Sequence, residues 1–174
     1  MDYIALLRGI NVGNSVKISM KELKASFEKC GFSNVSTYIN SGNVIFESED
    51  DKNTVTENIE KALHITIGNE IKVLLKTKNE IAKIADAIPN DWQNNDEQKT
   101  DVAYLFESID DENIINELPV KKEYIKLIYV KGALIWNVQR KDYSRSHINK
   151  IISHKAYKDM TIRNVNTARY LAKC

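Results

Sequence analysis

Apolar residues come in short runs, and glycine, proline or amide-rich turns separate the runs. Asp2 to Arg8 reads as a nearly continuous apolar strand, buried on both faces. Ser19 and Glu22 form a capping box, and Met20, Leu23, Phe27 and Cys30 then recur at helical spacing until Gly31 ends the helix. Val35 to Asn40 and Asn43 to Glu47 are predicted strands, joined by a tight turn at Ser41-Gly42. Thr54 and Glu57 open a second helix with Val55, Ile59, Ala62 and Leu63 on its apolar stripe. Ile71 to Lys76 completes a βαββαβ order, that of the ferredoxin-like unit.

The order then repeats. Thr77 and Glu80 start a helix that carries Ile81, Ile84, Ala85 and Ile88, and Pro89 stops it. Asn90 to Lys99 is polar enough for a linker. Val102 to Phe106 predicts a strand and Asp110 to Leu118 a short helix, followed by a hairpin of Tyr124–Val130 and Ala133–Val138 turning at Lys131-Gly132. Ser146 to Ser153 reads as helical, Met160 to Ile162 as a short strand, and Asn164 as the cap of a last helix through Val165, Ala168 and Leu171. The halves share pattern without sharing residue identities. The expected fold is therefore α+β: two consecutive ferredoxin-like units, each followed by an extra helix, packed into one compact body. The expected boundaries are 1–89 and 90–174.

The 174 residues, 43% hydrophobic and 28% charged, suit a globular chain of this design. No apolar run is long enough for a membrane span, and the start lacks a signal-peptide pattern. Two cysteines, Cys30 and Cys174, make neither a disulfide framework nor a CxxC motif, so a reduced, cytoplasmic setting is expected. A net charge of +1 conceals an asymmetry: residues 140–174 carry nine basic and two acidic side chains, leaving −6 for residues 1–139. Such a dipole either steers an acidic partner to the C-terminal segment or is a pair of solvated faces.

Candidate chemistry concentrates in two polar loops that each follow a strand, Arg8-Gly-Ile-Asn-Val-Gly-Asn14 and Tyr38-Ile-Asn-Ser-Gly-Asn43. In a ferredoxin-like unit the first and second strands run parallel, so both loops emerge at one end of the sheet. That brings Arg8, Asn11, Asn14 and Lys17 toward Asn40, Ser41 and Asn43. Gly9, Gly13 and Gly42 permit positive φ and close backbone approach. Arginine offers a planar fork for carboxylate or phosphate, and the helix beginning near Ser19 adds a positive dipole end. An anion site made of these residues competes with a plainer reading, in which the amides satisfy backbone groups within turns. Neither loop matches GxxxxGK[ST] or GxGxxG. Arg163, Asn164 and Asn166, around the start of the last helix, are outlying ligand candidates.

Ala5-Leu-Leu-Arg-Gly-Ile-Asn-Val-Gly13, Met20-Lys-Glu-Leu23, Gly31-Phe32 and Tyr38-Ile-Asn-Ser-Gly-Asn-Val44 together resemble the opening of a bacterial family of unknown function, number sixteen ninety-seven of its catalogue. Thr161-Ile-Arg-Asn-Val-Asn-Thr167 resembles that family's closing motif, with Val165 in place of its usual tryptophan. Tyr143 to His147 only loosely matches the family's Ser- and Lys-rich stretch. The resemblance implies a duplicated ferredoxin-like arrangement and carries no established activity with it.

Other chemistry is sparse. His64, His147 and His154 lack zinc-site spacing, Cys30 sits on an apolar stripe, and Asp110-Asp111-Glu112 reads as a helix start. No residue set calls for a metal or cofactor. Three readings stand, in order: a binder of an anionic small molecule at the loops, a nucleic-acid binder using residues 140–174, and an enzyme whose loop residues position and stabilise charge.

Overall fold

The computed structural model describes all 174 residues, and by its contacts the chain divides into two compact units, Met1–Lys78 with Cys174, and Asn79–Lys173. In the first unit, β1 (Asp2–Leu7), β2 (Ser33–Tyr38), β3 (Asn43–Glu47) and β4 (Val73–Thr77) form an antiparallel sheet in the order β2-β3-β1-β4. With α1 (Met20–Lys29) and α2 (Lys52–Ile67) interposed, this is the ferredoxin-like topology. In β1, Tyr3, Ala5 and Leu7 join the core beneath the helices, while Ile4 and Leu6 on the opposite face are 1% and 0% exposed. That double burial is why the strand's sequence shows no polar alternation.

The capping box at α1 forms as its sequence dictates: the Glu22 N–H donates to Ser19 Oγ, and the Ser19 N–H donates to the Glu22 carboxylate. Helix α2 starts one turn earlier than the Thr54 reading, because Asp51 Oδ1 accepts from the N–H groups of Asn53 and Thr54. Phe46 lies at the centre of the core, with ring centroids 5.8 Å from Tyr3, 5.3 Å from Phe27 and 4.7 Å from Phe32. These aromatics interlock under the helices and are no stacking platform for bases.

The second unit repeats the plan. Strands β5 (Gln98–Leu105), β6 (Ile125–Val130), β7 (Ala133–Gln139) and β8 (Met160–Asn164) run in the order β6-β7-β5-β8. Its first crossover holds a 3₁₀ turn at Glu107–Ile109 and a short helix, α4 (Ile114–Glu117), and its second holds 3₁₀ turns at Ile148–Ser153 and Lys155–Asp159 where a helix over 146–153 was expected. Helix α5 (Val165–Leu171) follows, with Asn164 Oδ1 accepting from the Thr167 N–H. Helix α3 (Lys78–Asp86) falls almost wholly on this unit's side of the division, which lies ahead of the 89–90 boundary read from the sequence. Its stripe of Ile81 and Ile84 is buried, as the periodicity predicts.

At one end of each sheet the same backbone pattern recurs. The Leu7 N–H donates to Gly42 O at 2.8 Å and the Leu105 N–H to Gly132 O at 2.9 Å. The Arg8 N–H donates to Lys72 O and the Phe106 N–H to Asp159 O, both at 3.0 Å. Gly42, at φ +76°, sits so close to the first strand that a β-carbon there would lie 2.7 Å from Ile10 Cδ1 and 2.9 Å from Leu7 Cβ. Gly68, at the same φ after α2, has open space around it. Gly42→Ala should therefore cost about 2–4 kcal/mol and Gly68→Ala about 1 kcal/mol in urea unfolding, because only the first adds steric overlap to backbone strain.

Candidate functional site

The loop after β1, the β2–β3 hairpin and the residues leading into β4 meet at one end of the first sheet, as the parallel β1–α1–β2 arrangement requires. The hairpin spans four residues, Ile39 to Gly42, since Tyr38 pairs with Asn43. That corrects the two-residue turn expected at Ser41-Gly42: Ile39 at φ +48° and Gly42 at φ +76° share the reversal.

Asn11 is the link between the two loops. Its Nδ2 donates to Ile18 O at 2.8 Å and to Asn40 O at 2.9 Å, and its Oδ1 accepts from the Ile18 N–H at 3.0 Å. Those bonds occupy both amide hydrogens, and Asn11 holds φ +53° in making them. Asn43 is similarly engaged, 0% exposed, with Nδ2 donating to Tyr38 O and Ser41 Oγ, both at 3.0 Å. Both amides shape the loops rather than reach out of them.

The remaining candidates divide by exposure. Asn14, Lys17 and Asn40 are exposed, Arg8 and Ser41 half-buried, and Gly13 exposed at φ +49°. Lys17 Nζ donates to Gly13 O at 3.0 Å, which folds the lysine back over its own loop. Arg8 and Lys72 continue the β1–β4 register beyond Leu7 and Val73, so they stand opposite each other on one face. Lys72 was not among the residues singled out from sequence. Only strand register reveals it. Arg163, Asn164 and Asn166 lie in the second unit, at the end of its sheet away from the hairpin. Arg163 is 8% exposed and donates to Thr161 Oγ1 and Ile162 O, and burial lowers its pKa to about 10. Asn164 serves as the cap of α5.

The family model described as Protein of unknown function (DUF1697) matches residues 1–136, which include the whole loop end of the first unit. The chain belongs to this family. A solved structure, that of the conserved bacterial protein SP0830 from Streptococcus pneumoniae, is 26% identical, the match covers 99% of this chain and 97% of that one, and the two superpose with a TM-score of 0.85. A comparison with curated proteins finds no match.

Two clefts in this DUF1697 chain lie apart from the predicted loops. One, of about 520 Å³, is bounded by Glu60, His64, Ile65, Glu70, Ile71 and Lys72, and touches the loop end only through Lys72. The other, of about 360 Å³, lies in the second unit beside Ile114, Glu117, Lys155 and Ala156. Arg8, Asn11, Lys17 and Asn40 line neither cleft. No group of three or more His, Cys, Asp or Glu side chains stands in metal-holding geometry. The Cys30 thiol is pushed up by burial and donates to Ser26 O, in keeping with a core position.

The second unit closes its own loop end with a carboxylate. Asp110 accepts from the Tyr129 hydroxyl at 2.9 Å and the Gly132 N–H at 2.8 Å, and pairs with Lys131 at 2.9 Å. It is not the helix start expected from its acidic neighbours. Burial alone would raise its pKa, but Lys131, Gly132 and Tyr129 together hold it below the ordinary 3.8.

Two outcomes follow from these pins. Asn11→Ala should lower stability by about 2 kcal/mol, and Asn11→Asp should not rescue it, because two carbonyls need N–H donors; urea unfolding measures both. Because the folded-state pKa of Asp110 is depressed, its stabilisation is fully present above 3.8 and fades as pH falls through the lower folded value. The stability gap between wild type and Asp110→Asn should thus be constant near neutrality and shrink below about pH 4, as thermal melts across pH will register.

Proposed function

We propose that this DUF1697 protein binds a small anionic molecule, bearing a phosphate or a carboxylate, at the loop end of its first unit. The observation that carries this reading is the placement of Arg8 opposite Lys72 across the β1–β4 edge, beside a loop that adds Lys17. Neither polar loop contains a carboxylate: there is no Asp or Glu from Arg8 to Lys21 or from Tyr38 to Phe46. An anion set between two facing cations gains charge-assisted hydrogen bonds from both. The Asn11 bonds to Asn40 and Ile18 hold the loops in place before a ligand arrives, which reduces the ordering cost of binding.

The basic C-terminal segment gives less support to a nucleic-acid reading. Of its nine cations, Arg163 is buried, Arg140 is tied to Asn94 and Asn95, Arg169 reaches Gln93 and Pro89, and Lys155 pairs with Glu117. Those four are engaged within the protein, which leaves fewer of the nine for a phosphate backbone.

A thermal-shift screen with phosphates, carboxylates and a short RNA at two salt concentrations tests the proposal. A small anion should raise Tm in a way that survives moderate salt, and Arg8→Ala should weaken its binding about tenfold or more. A shift with RNA alone, steeply salt-dependent and unchanged in Arg8→Ala, would refute it.

A further inference from the structure

Val12 and Ile39 crown the two loops, each one residue from the Asn11–Asn40 hydrogen bond, and they are 56% and 48% exposed. Exposed aliphatic side chains are ordinary when scattered, but Ile39 is not an ordinary case. It sits at φ +48°, in the left-handed region that β-branched residues avoid and that asparagine or glycine would occupy with less strain. Burial does not explain it, because nearly half of its surface faces solvent. Turn geometry does not explain it either, because the position favours other residue types. The hairpin thus holds a strained aliphatic side chain beside the anion-binding loop, with a second aliphatic across the loop–loop bond. Strain of this kind collects where a ligand is held.

We infer that the ligand of this site is an anion carried on an apolar or aromatic body, with Val12 and Ile39 covering that body while the cations hold the charged end. The inference rests on the anion-binding reading and names the class of molecule that reading leaves open. An apolar body covered by two aliphatic side chains adds affinity that a bare anion lacks.

Isothermal titration of wild type with phenyl phosphate, benzoate and adenosine monophosphate, against inorganic phosphate and acetate, supplies the test. One or more of the organic anions should bind at least about tenfold tighter than its inorganic or short-chain counterpart. Ile39→Asn should raise Tm by roughly 2–4 °C, since it relieves strain, yet lose the organic anion's advantage while keeping the inorganic binding. Val12→Ser, at a position without positive φ, should lose part of the same advantage without the gain in Tm. Equal affinity for organic and bare anions, or an advantage untouched in both variants, overturns the inference and leaves the anion site standing. Binding of neither class overturns both. Concentration-dependent self-association abolished by Ile39→Asn, with no organic anion bound, would assign the tips to a protein contact and overturn it as well.

Discussion

A backbone hydrogen bond from the end of the first strand to the hairpin glycine organises each unit. Leu7 to Gly42 and Leu105 to Gly132 are the same bond made twice by unrelated sequences. It fixes how far the first strand runs before the chain turns away, and so where the following loop begins. In the first unit the approach is close enough that Ile10 and Leu7 occupy the space a β-carbon on Gly42 would need. The sheet end is thereby set by packing, and the loop geometry above it inherits that precision.

Each unit then pins its loop to its hairpin with a different side chain. The first uses the neutral amide of Asn11 toward Asn40 O, the second the Asp110 carboxylate toward the Gly132 N–H and Lys131. The chemistry of the pin decides what is left over. A carboxylate neutralises the lysine it holds and closes that end electrostatically. An amide adds no charge to the first unit's loop end, where Arg8, Lys17 and Lys72 stand. The two loop ends thus share a backbone bond and differ in the charge of the side chain that pins them; the proposed anion site rests on that difference.

Much of the fold could be read from the chain. The apolar run of β1, the Ser19–Glu22 box and the Lys131-Gly132 turn carry local signals strong enough to survive folding. The second unit's crossovers were less legible because 3₁₀ turns lack a clean 3.6 period, and Asp110 was misread because a long-range partner, not its neighbours, determines its role. At the loops the sequence singled out two segments without separating the roles of their residues. Asn11 and Asn43 were candidates equal to Arg8, and only their hydrogen bonds show them to be framework. Lys72 and the strain at Ile39 depend on register and dihedral angle, which no spacing of residues encodes.

The central claim is that the first unit's loop end is the binding surface. Amide chemical shifts of the ¹⁵N-labelled protein during titration with phenyl phosphate test it most directly. Shifts confined to Gly9, Asn11, Gly13, Asn14, Ser41, Gly42 and Lys72 are the predicted result. Shifts that avoid these amides and gather instead around Ile114, Lys155 and Ala156, or along residues 140–174, would contradict the account.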